Sequence, residues 1–350
     1  MIIKKLKEDF LVDEILDESF LSEEPTNQHL YLMKKKNYTS ERAVAQLAQS
    51  LGVPRKNISY AGTKDKNAIT TQYITIKGIA KDKVLALDLK DIDLEFKGYC
   101  KKYLALGDLA GNRFTLVVRD LEKNQVLDSV EKDFLVPDYF DEQRFSSNNI
   151  DLGLLFLKKD FKGAVELLKD DRDSDKIFSW LESHMNDYVG ALQQIPKKIL
   201  LFYIHAIQSK LYNDLLKKTV EKLCLDNYDC DGMVNISYSQ GEFSFPKKVF
   251  TDSSLLEQYT TLIGYVTDLT EDEGKVLEDL GLVQNDFIIK QFPGLTLGGS
   301  QRTSFFKVNN CVISSAEEDE EFEGKFKQTI SFDLGKGSYA TIVLKQLYLM

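Results

Sequence analysis

The stretch Ala61-Gly62-Thr63-Lys64-Asp65-Lys66-Asn67-Ala68-Ile69-Thr70-Thr71-Gln72 limits what this chain can become. It follows a helix-like segment and runs into Tyr73-Ile74-Thr75-Ile76, where residues alternate as in a half-buried strand. Gly62 to Asn67 therefore reads as a loop between a helix and a strand. At its centre, Asp65 stands between Lys64 and Lys66. Two adjacent cations favour an ionised carboxylate. Such an aspartate is a poor general acid and a reasonable nucleophile or general base. A solvated turn of alternating charge would look the same and, from this stretch alone, is the commoner case.

The flanking sequence predicts an ordered α/β lobe. Phe10 and Val12 alternate with polar neighbours, and residues 29–35 look like a second strand. Thr39 or Ser40 can cap a helix that carries Val44, Leu47, Ala48 and Leu51 at helical spacing and ends at Gly52 and Pro54. Strands are expected through 72–77 and Phe96–Tyr99. Gly111-Asn112 reads as a turn dipeptide before a strand at Phe114–Val118, although Asn112 could also bond a base or orient a carboxylate. Residues 122–135 read as an amphipathic helix. Val136 to Phe145 combines three aromatic rings with Gln143 and Arg144, a mix that suits either stacking on single-stranded RNA or a wall of packed rings.

From about residue 152 the texture becomes helical, with an acidic linker at 170–175 and the longest helix over Ile199–Val220. Short strands and turns follow, and 317–323 reads as a solvated acidic loop. Gln328–Leu334 reads as a strand, Gly335-Lys336-Gly337 as a turn, and Ser338–Leu344 as a helix or another strand. That Gly-Lys-Gly lacks the remaining residues of a dinucleotide fingerprint or a P-loop, which excludes a nucleotide cofactor reading.

Composition fits a globular protein of two domains: 350 residues, 43% of them hydrophobic. No apolar run approaches the ~20 residues needed to span a bilayer, and no secretory leader pattern is present. A cytoplasmic protein is expected. Cys100, Cys224, Cys230 and Cys311 are scattered and are expected as free thiols, and His29, His184 and His205 form no metal pattern. The net charge of −10 is uneven. Residues 1–150 carry 23 basic and 24 acidic side chains, whereas 151–350 carry 22 and 31. Short basic groups such as Lys4-Lys5, Lys34-Lys35-Lys36 and Lys64/Lys66 fall in the balanced part. Nucleic acid responds to local potential within ~8–10 Å, so the total charge does not exclude RNA. Dispersed solubilising charge is the plainer reading of those lysines.

In order along the chain, Lys7-Glu8-Asp9-Phe10-Leu11-Val12, Ala61–Gln72, Gly111-Asn112-Arg113-Phe114, Pro137–Phe145 and Gly337-Ser338-Tyr339-Ala340-Thr341 resemble the motifs of the TruD pseudouridine synthases. Lys7 replaces a proline of that pattern, Asp138 an asparagine, and Asp141 and Ser146 glycines. The resemblance implies an α/β (α+β) catalytic domain around a mixed, largely antiparallel sheet, built from 1–151 and 301–350. It implies an inserted helix-rich domain at 152–300, with RNA lying between the two. It makes Asp65 the nucleophile and Lys4 the basic residue beside it. Phe10, Asn112 and Tyr339 would contact the target nucleotide and Phe114 would support the base pocket. Lys64 and Arg144 join the substrate-binding set.

The implied reaction isomerises a uridine in tRNA, most often at tRNA position 13 in bacterial relatives. It needs no cofactor and no metal. The expected partner is tRNA, with no membrane or protein partner and a monomeric enzyme. A non-catalytic RNA-binding protein on the same scaffold is the alternative. A hydrolase using Asp65 as base and Glu142 as acid is a more distant one.

Overall fold

The computed structural model describes residues 1–66, 68–145, 148–170, 174–226 and 230–349. Asn67, Ser146 and the centre of the expected acidic linker lie outside the described residues. The chain divides into two compact units, one of 1–134 with 307–340 and 347–349, the other of 135–306 with 341–346.

In the first unit, alternation produces strands β1 (Phe10–Leu16), β2 (Leu21–Ser22) and β3 (Gln28–Lys36). Helix α1 (Ser40–Leu51) follows. Then come β4 (Ile58–Tyr60), β5 (Ile69–Lys77), the short α2 (Lys81–Leu85), β6 (Ile92–Cys100) and β7 (Leu109–Leu121). Thr39 caps α1 by accepting from the Arg42 N–H, and Gly52 ends it in a left-handed conformation. Both features match the sequence expectation. The apolar face of α1 buries Val44, Leu47, Ala48 and Leu51 against Tyr31, Met33, Ile58, Ile74 and Ile76. Burying Val44, Leu47 or Leu51 contributes roughly 1.5–3 kcal/mol each, and Ala48 less.

The second unit holds β8 (Phe134–Pro137), α3 (Asn149–Leu157), α4 (Phe161–Leu167), α5 (Ser174–Ser183), α6 (Tyr188–Leu192) and the long α7 (Lys197–Asp226). It continues through β9 (Met233–Tyr238), β10 (Gly241–Pro246), β11 (Tyr259–Leu262), α8 (Glu271–Asp279) and β12 (Ser300–Thr303). The chain ends in β13 (Phe305–Ile313), β14 (Glu317–Glu318), β15 (Phe326–Gly335) and α9 (Ala340–Tyr348). No described helix is long and apolar enough to cross a membrane.

The sheet of the first unit runs β2-β6-β3-β5-β1-β7-β15-β13, with β4 beside β5 and β14 beside β15. β1 and β5 pair in parallel. Among the described residues the other pairings of these strands are antiparallel. This is the mixed, largely antiparallel sheet that was expected.

Five local expectations fail. The loop carrying Asp65 joins two strands, β4 and β5, rather than a helix and a strand. Gly111 and Asn112 are not a turn but lie inside β7, opposite Ile15 and Glu14 of β1 and Gly335 and Leu334 of β15. Gly111 serves close approach, since a Cβ there would lie 2.3 Å from the Leu334 carbonyl oxygen. Gly111→Ala is therefore expected to destabilise the protein by ~1–3 kcal/mol or more, read as a lowered urea midpoint. Residues 122–135 form no α-helix. Only Lys123–Gln125 makes a 3-10 turn, because the Gln328 amide takes both backbone groups of Leu127 at 3.2 and 2.8 Å.

The acidic run at 317–323 is not wholly solvated. Asp319 is buried and pairs with Arg119 at 2.8 Å. Finally, Cys224 and Cys230 form a disulfide, with Cα atoms 5.6 Å apart. Cys224 is near the end of α7 and Cys230 shortly precedes β9, so the chain's return brings together two thiols whose spacing excluded only a metal pair. Cys100 and Cys311 are free and buried.

In the second unit the aromatic cluster is a packed wall. Tyr139, Phe140 and Phe145 are buried, and Tyr139 lies against Phe243 and Phe245. The acidic departures from the family motif have partners. Asp138 pairs with Arg302 at 2.7 Å. Burial pushes its carboxyl up to about 6, with Arg302 opposing the rise. Asp141 accepts from Thr341 and pairs with Lys345 in α9.

Candidate active site

The loop between β4 and β5 is braced from beneath. Ser40, at the start of α1, accepts from the Lys64 N–H at 2.8 Å and donates to Gln72 Oε1 at 2.6 Å. Gln72, on β5, returns a bond from Nε2 to the Gly62 carbonyl at 3.2 Å. The first and last parts of the Ala61–Gln72 stretch thus hold each other, and Asp65 is carried at the surface between them with its side chain 64% exposed.

The two lysines flanking Asp65 go different ways. Lys66 is exposed. Lys64 turns inward, where its ammonium lies 2.8 Å from Glu14 Oε2 and donates to Asn112 Oδ1 at 2.6 Å. Glu14 is completely buried. Burial raises its proton affinity and Lys64 opposes that rise. Gly62 leaves room for this pair, since a Cβ there would lie 3.2 Å from the Lys64 nitrogen. A lysine can only donate, so it fixes Asn112 with its Oδ1 inward and its amide donor turned elsewhere. The cation expected to tune Asp65 from its own loop instead sets the orientation of Asn112.

The cation beside Asp65 is Lys4, whose Nζ stands 3.8 Å from Asp65 Oδ2. The same ammonium lies 3.9 Å from the centre of the Phe10 ring, a cation–π contact. Lys4 adopts left-handed backbone, φ 62°, at a cost of roughly 1–2 kcal/mol. What holds it there is the N-terminal arm. Ile2 exchanges two backbone bonds with Arg119 at 2.8 and 2.9 Å. Asp9 accepts from the Leu6 N–H at 2.7 Å and pairs with the Arg119 guanidinium at 2.9 Å. The Asp of the Glu-Asp-Phe motif is therefore structural, fixing the turn that brings Lys4 back over Phe10.

Strand register supplies the rest. Phe10, Val12 and Glu14 share one face of β1, opposite Leu116, Phe114 and Asn112 of β7. Phe10 meets Phe114 edge-on at 6.2 Å, and Phe114 meets Phe332 at 5.8 Å. Arg113 falls on the other face and makes a two-pronged pair with Asp333 at 2.7 and 2.8 Å. Asp65, Lys4, Phe10 and Phe114 thus form one run of contacts, and Lys64 and Asn112 a second that adjoins it through the Lys64-Asp65 peptide. Tyr339 is half-buried just before α9, beyond the strand that pairs with Gly111 and Asn112. Arg144 belongs to the second unit, where it bonds Ser209 at 3.0 Å and lies 5.3 Å from the rings of Phe140 and Phe202.

Sequence reasoning missed Glu14, Ser40 and Lys35. Lys35 could have been found, because alternation along β3 aligns it with buried Tyr31 and Met33 rather than with solvent.

A surface aspartate on a braced loop thus meets a lysine that lies over an aromatic ring, on a mixed sheet. The family model described as tRNA pseudouridine synthase D (TruD) matches residues 1–176 and 172–347, and the chain belongs to that family. A Methanocaldococcus jannaschii protein named "Probable tRNA pseudouridine synthase D 2" is 30% identical, covering 100% of this chain and 92% of its own. A Thermococcus sibiricus protein named "Probable tRNA pseudouridine synthase D" is 28% identical, over 99% of this chain and 94% of its own. The crystal structure of a Methanosarcina mazei protein titled "Putative tRNA pseudouridine synthase D (TruD)" aligns with a TM-score of 0.76 at 25% identity, over 99% of this chain and 93% of that one.

Proposed function

We propose that this pseudouridine synthase isomerises a uridine of tRNA, at position 13, with Asp65 as the nucleophile. The observation that carries this reading is Lys4 poised between the Asp65 carboxylate and the Phe10 ring, 3.8 Å from the one and 3.9 Å from the centre of the other. In the reaction the bond from uracil N1 to ribose C1′ breaks and the uracil turns. A bond from C5 to C1′ then forms, the C5 proton leaves and N1 gains one. Atoms and electrons balance within the nucleoside.

Asp65 either adds to the sugar or base or takes a ribose proton, and Lys4 fixes its direction. Phe10, backed by Phe114, and Tyr339 wall the detached uracil. Asn112, oriented by Lys64, offers its amide to the base edge or ribose. The target nucleotide must leave its stack at a cost of a few kcal/mol. In this reading the catalytic domain comprises 1–151 and 301–350, and the inserted domain at 152–300, together with Arg144, meets the rest of the tRNA.

The test is incubation with transcribed tRNA, followed by intact mass and pseudouridine mapping. Conversion at one position with unchanged mass is expected. Free uracil or a cleaved strand would point to a hydrolase, and binding without conversion to a non-catalytic RNA-binding protein.

A further inference from the structure

We propose that Lys35 is a positioning residue of the Asp65 site, clamping the catalytic loop through three main-chain carbonyls. Its side chain leaves β3 on the inward face and is 1% exposed. The ammonium donates to the Tyr38 carbonyl at 2.7 Å, the Asp65 carbonyl at 3.0 Å and the Lys64 carbonyl at 3.4 Å. Two of those oxygens belong to the proposed nucleophile and the residue before it. The third lies in the turn that leads into α1, whose Ser40 braces the same loop. One buried cation therefore joins the end of β3, the start of α1 and the backbone of Asp65.

The charge state matters because three acceptors need three N–H donors. An ammonium has three, whereas a neutral amine has two and would turn its lone pair on a carbonyl oxygen. Burial pulls the Lys35 amine down to about 8, with Asp65 opposing the fall and Lys64 adding to it. Those are the charged groups facing it. Its strand partners, Thr70 on β5 and Ile92 on β6, do not titrate in water. The folded protein thus holds this proton less tightly than the unfolded chain. The group's unfavourable contribution to stability is complete below pH 8 and is relieved as pH rises from about 8 toward the usual lysine value. Stability contributed by Lys35 rises over that range while the clamp, and with it activity, is lost.

This inference rests on Asp65 being the catalytic residue. The first test is Lys35→Met, which keeps the apolar stem and removes the donors. Its kcat on transcribed tRNA at pH 7 is expected to fall about tenfold or more with KM nearly unchanged, since small displacements of a reacting group cost 10²-fold in rate. The wild-type decline in kcat above about pH 8 should be absent from the variant. Wild-type kcat in Lys35→Met, or an alkaline decline with the same midpoint, overturns the proposal.

If the variant does not fold, the wild type still decides. One lysine, assigned to Lys35 by NMR, should titrate near pH 8, and amide exchange at Lys64, Asp65 and Lys66 should quicken through that transition beyond the general base-catalysed rise. A normal lysine titration, or exchange that ignores it, overturns the clamp. This readout needs no turnover, so failure to make pseudouridine would defeat the Asp65 assignment alone.

Discussion

Asp65→Asn is expected to lower kcat for pseudouridine formation by ~10³-fold or more while tRNA binding stays within about threefold. The substitution keeps the size and planarity of the side chain and removes its charge, so a nucleophile or base becomes neither. Asp65 is largely exposed, and among the described residues its side chain forms an ion pair with Lys4 alone. The loop is held instead by Ser40, Gln72 and Lys35, bonded to backbone or to one another. Folding should therefore be nearly unaffected, and a thermal melt within a few degrees of wild type would confirm that the loss is chemical. Single-turnover rates with saturating enzyme separate binding from chemistry.

Arg119→Met carries the largest expected loss of stability, about 3–5 kcal/mol, because it breaks a buried charge network from its centre. Arg119 is 4% exposed and pairs with Asp9 at 2% and Asp319 at 0%. Without the guanidinium, two buried carboxylates lose their shared cation. Adding Asp9→Asn and Asp319→Asn should recover part of the loss, since removing a whole buried network is far cheaper than orphaning its members. Urea unfolding measures both, and a loss below ~1 kcal/mol for the single change would contradict this role. The same network holds the arm that carries Lys4, so the variant's residual folded fraction should also show a lowered kcat.

The strands were legible wherever alternation reflects a sheet with unlike faces, as in Phe10–Leu16 and Gln28–Lys36. Helix α1 was legible from its cap, its apolar spacing and Gly52. Asn112 was not placed by local sequence. Gly-Asn is a turn dipeptide in isolation, and only pairing with Glu14 and Leu334, far away in the chain, makes it a strand residue. The failed helix at 122–135 has the same cause, since Leu127 is bonded by Gln328, 201 residues on. Motif order pointed to Asp65 with Lys4 beside it, and to Phe10, Asn112 and Phe114, but not to the Lys64 contact that orients Asn112. Lys64 sits next to Asp65 in sequence yet bonds away from it, and Lys35, hidden in a basic triplet, supports it from below. Partnerships formed across 29 to 110 residues, such as Lys35 with the loop and Arg119 with Asp9, leave little local trace.

The most direct measurement of the central claim uses tRNA carrying tritium at uridine C5. Closing the bond from C5 to C1′ expels that hydrogen, so each isomerisation releases one tritium to water. Wild-type protein should release it in step with the appearance of pseudouridine, and Asp65→Asn should release none above background. No release by the folded wild type on any tRNA, or equal release by both proteins, would contradict Asp65 as the nucleophile of a pseudouridine synthase.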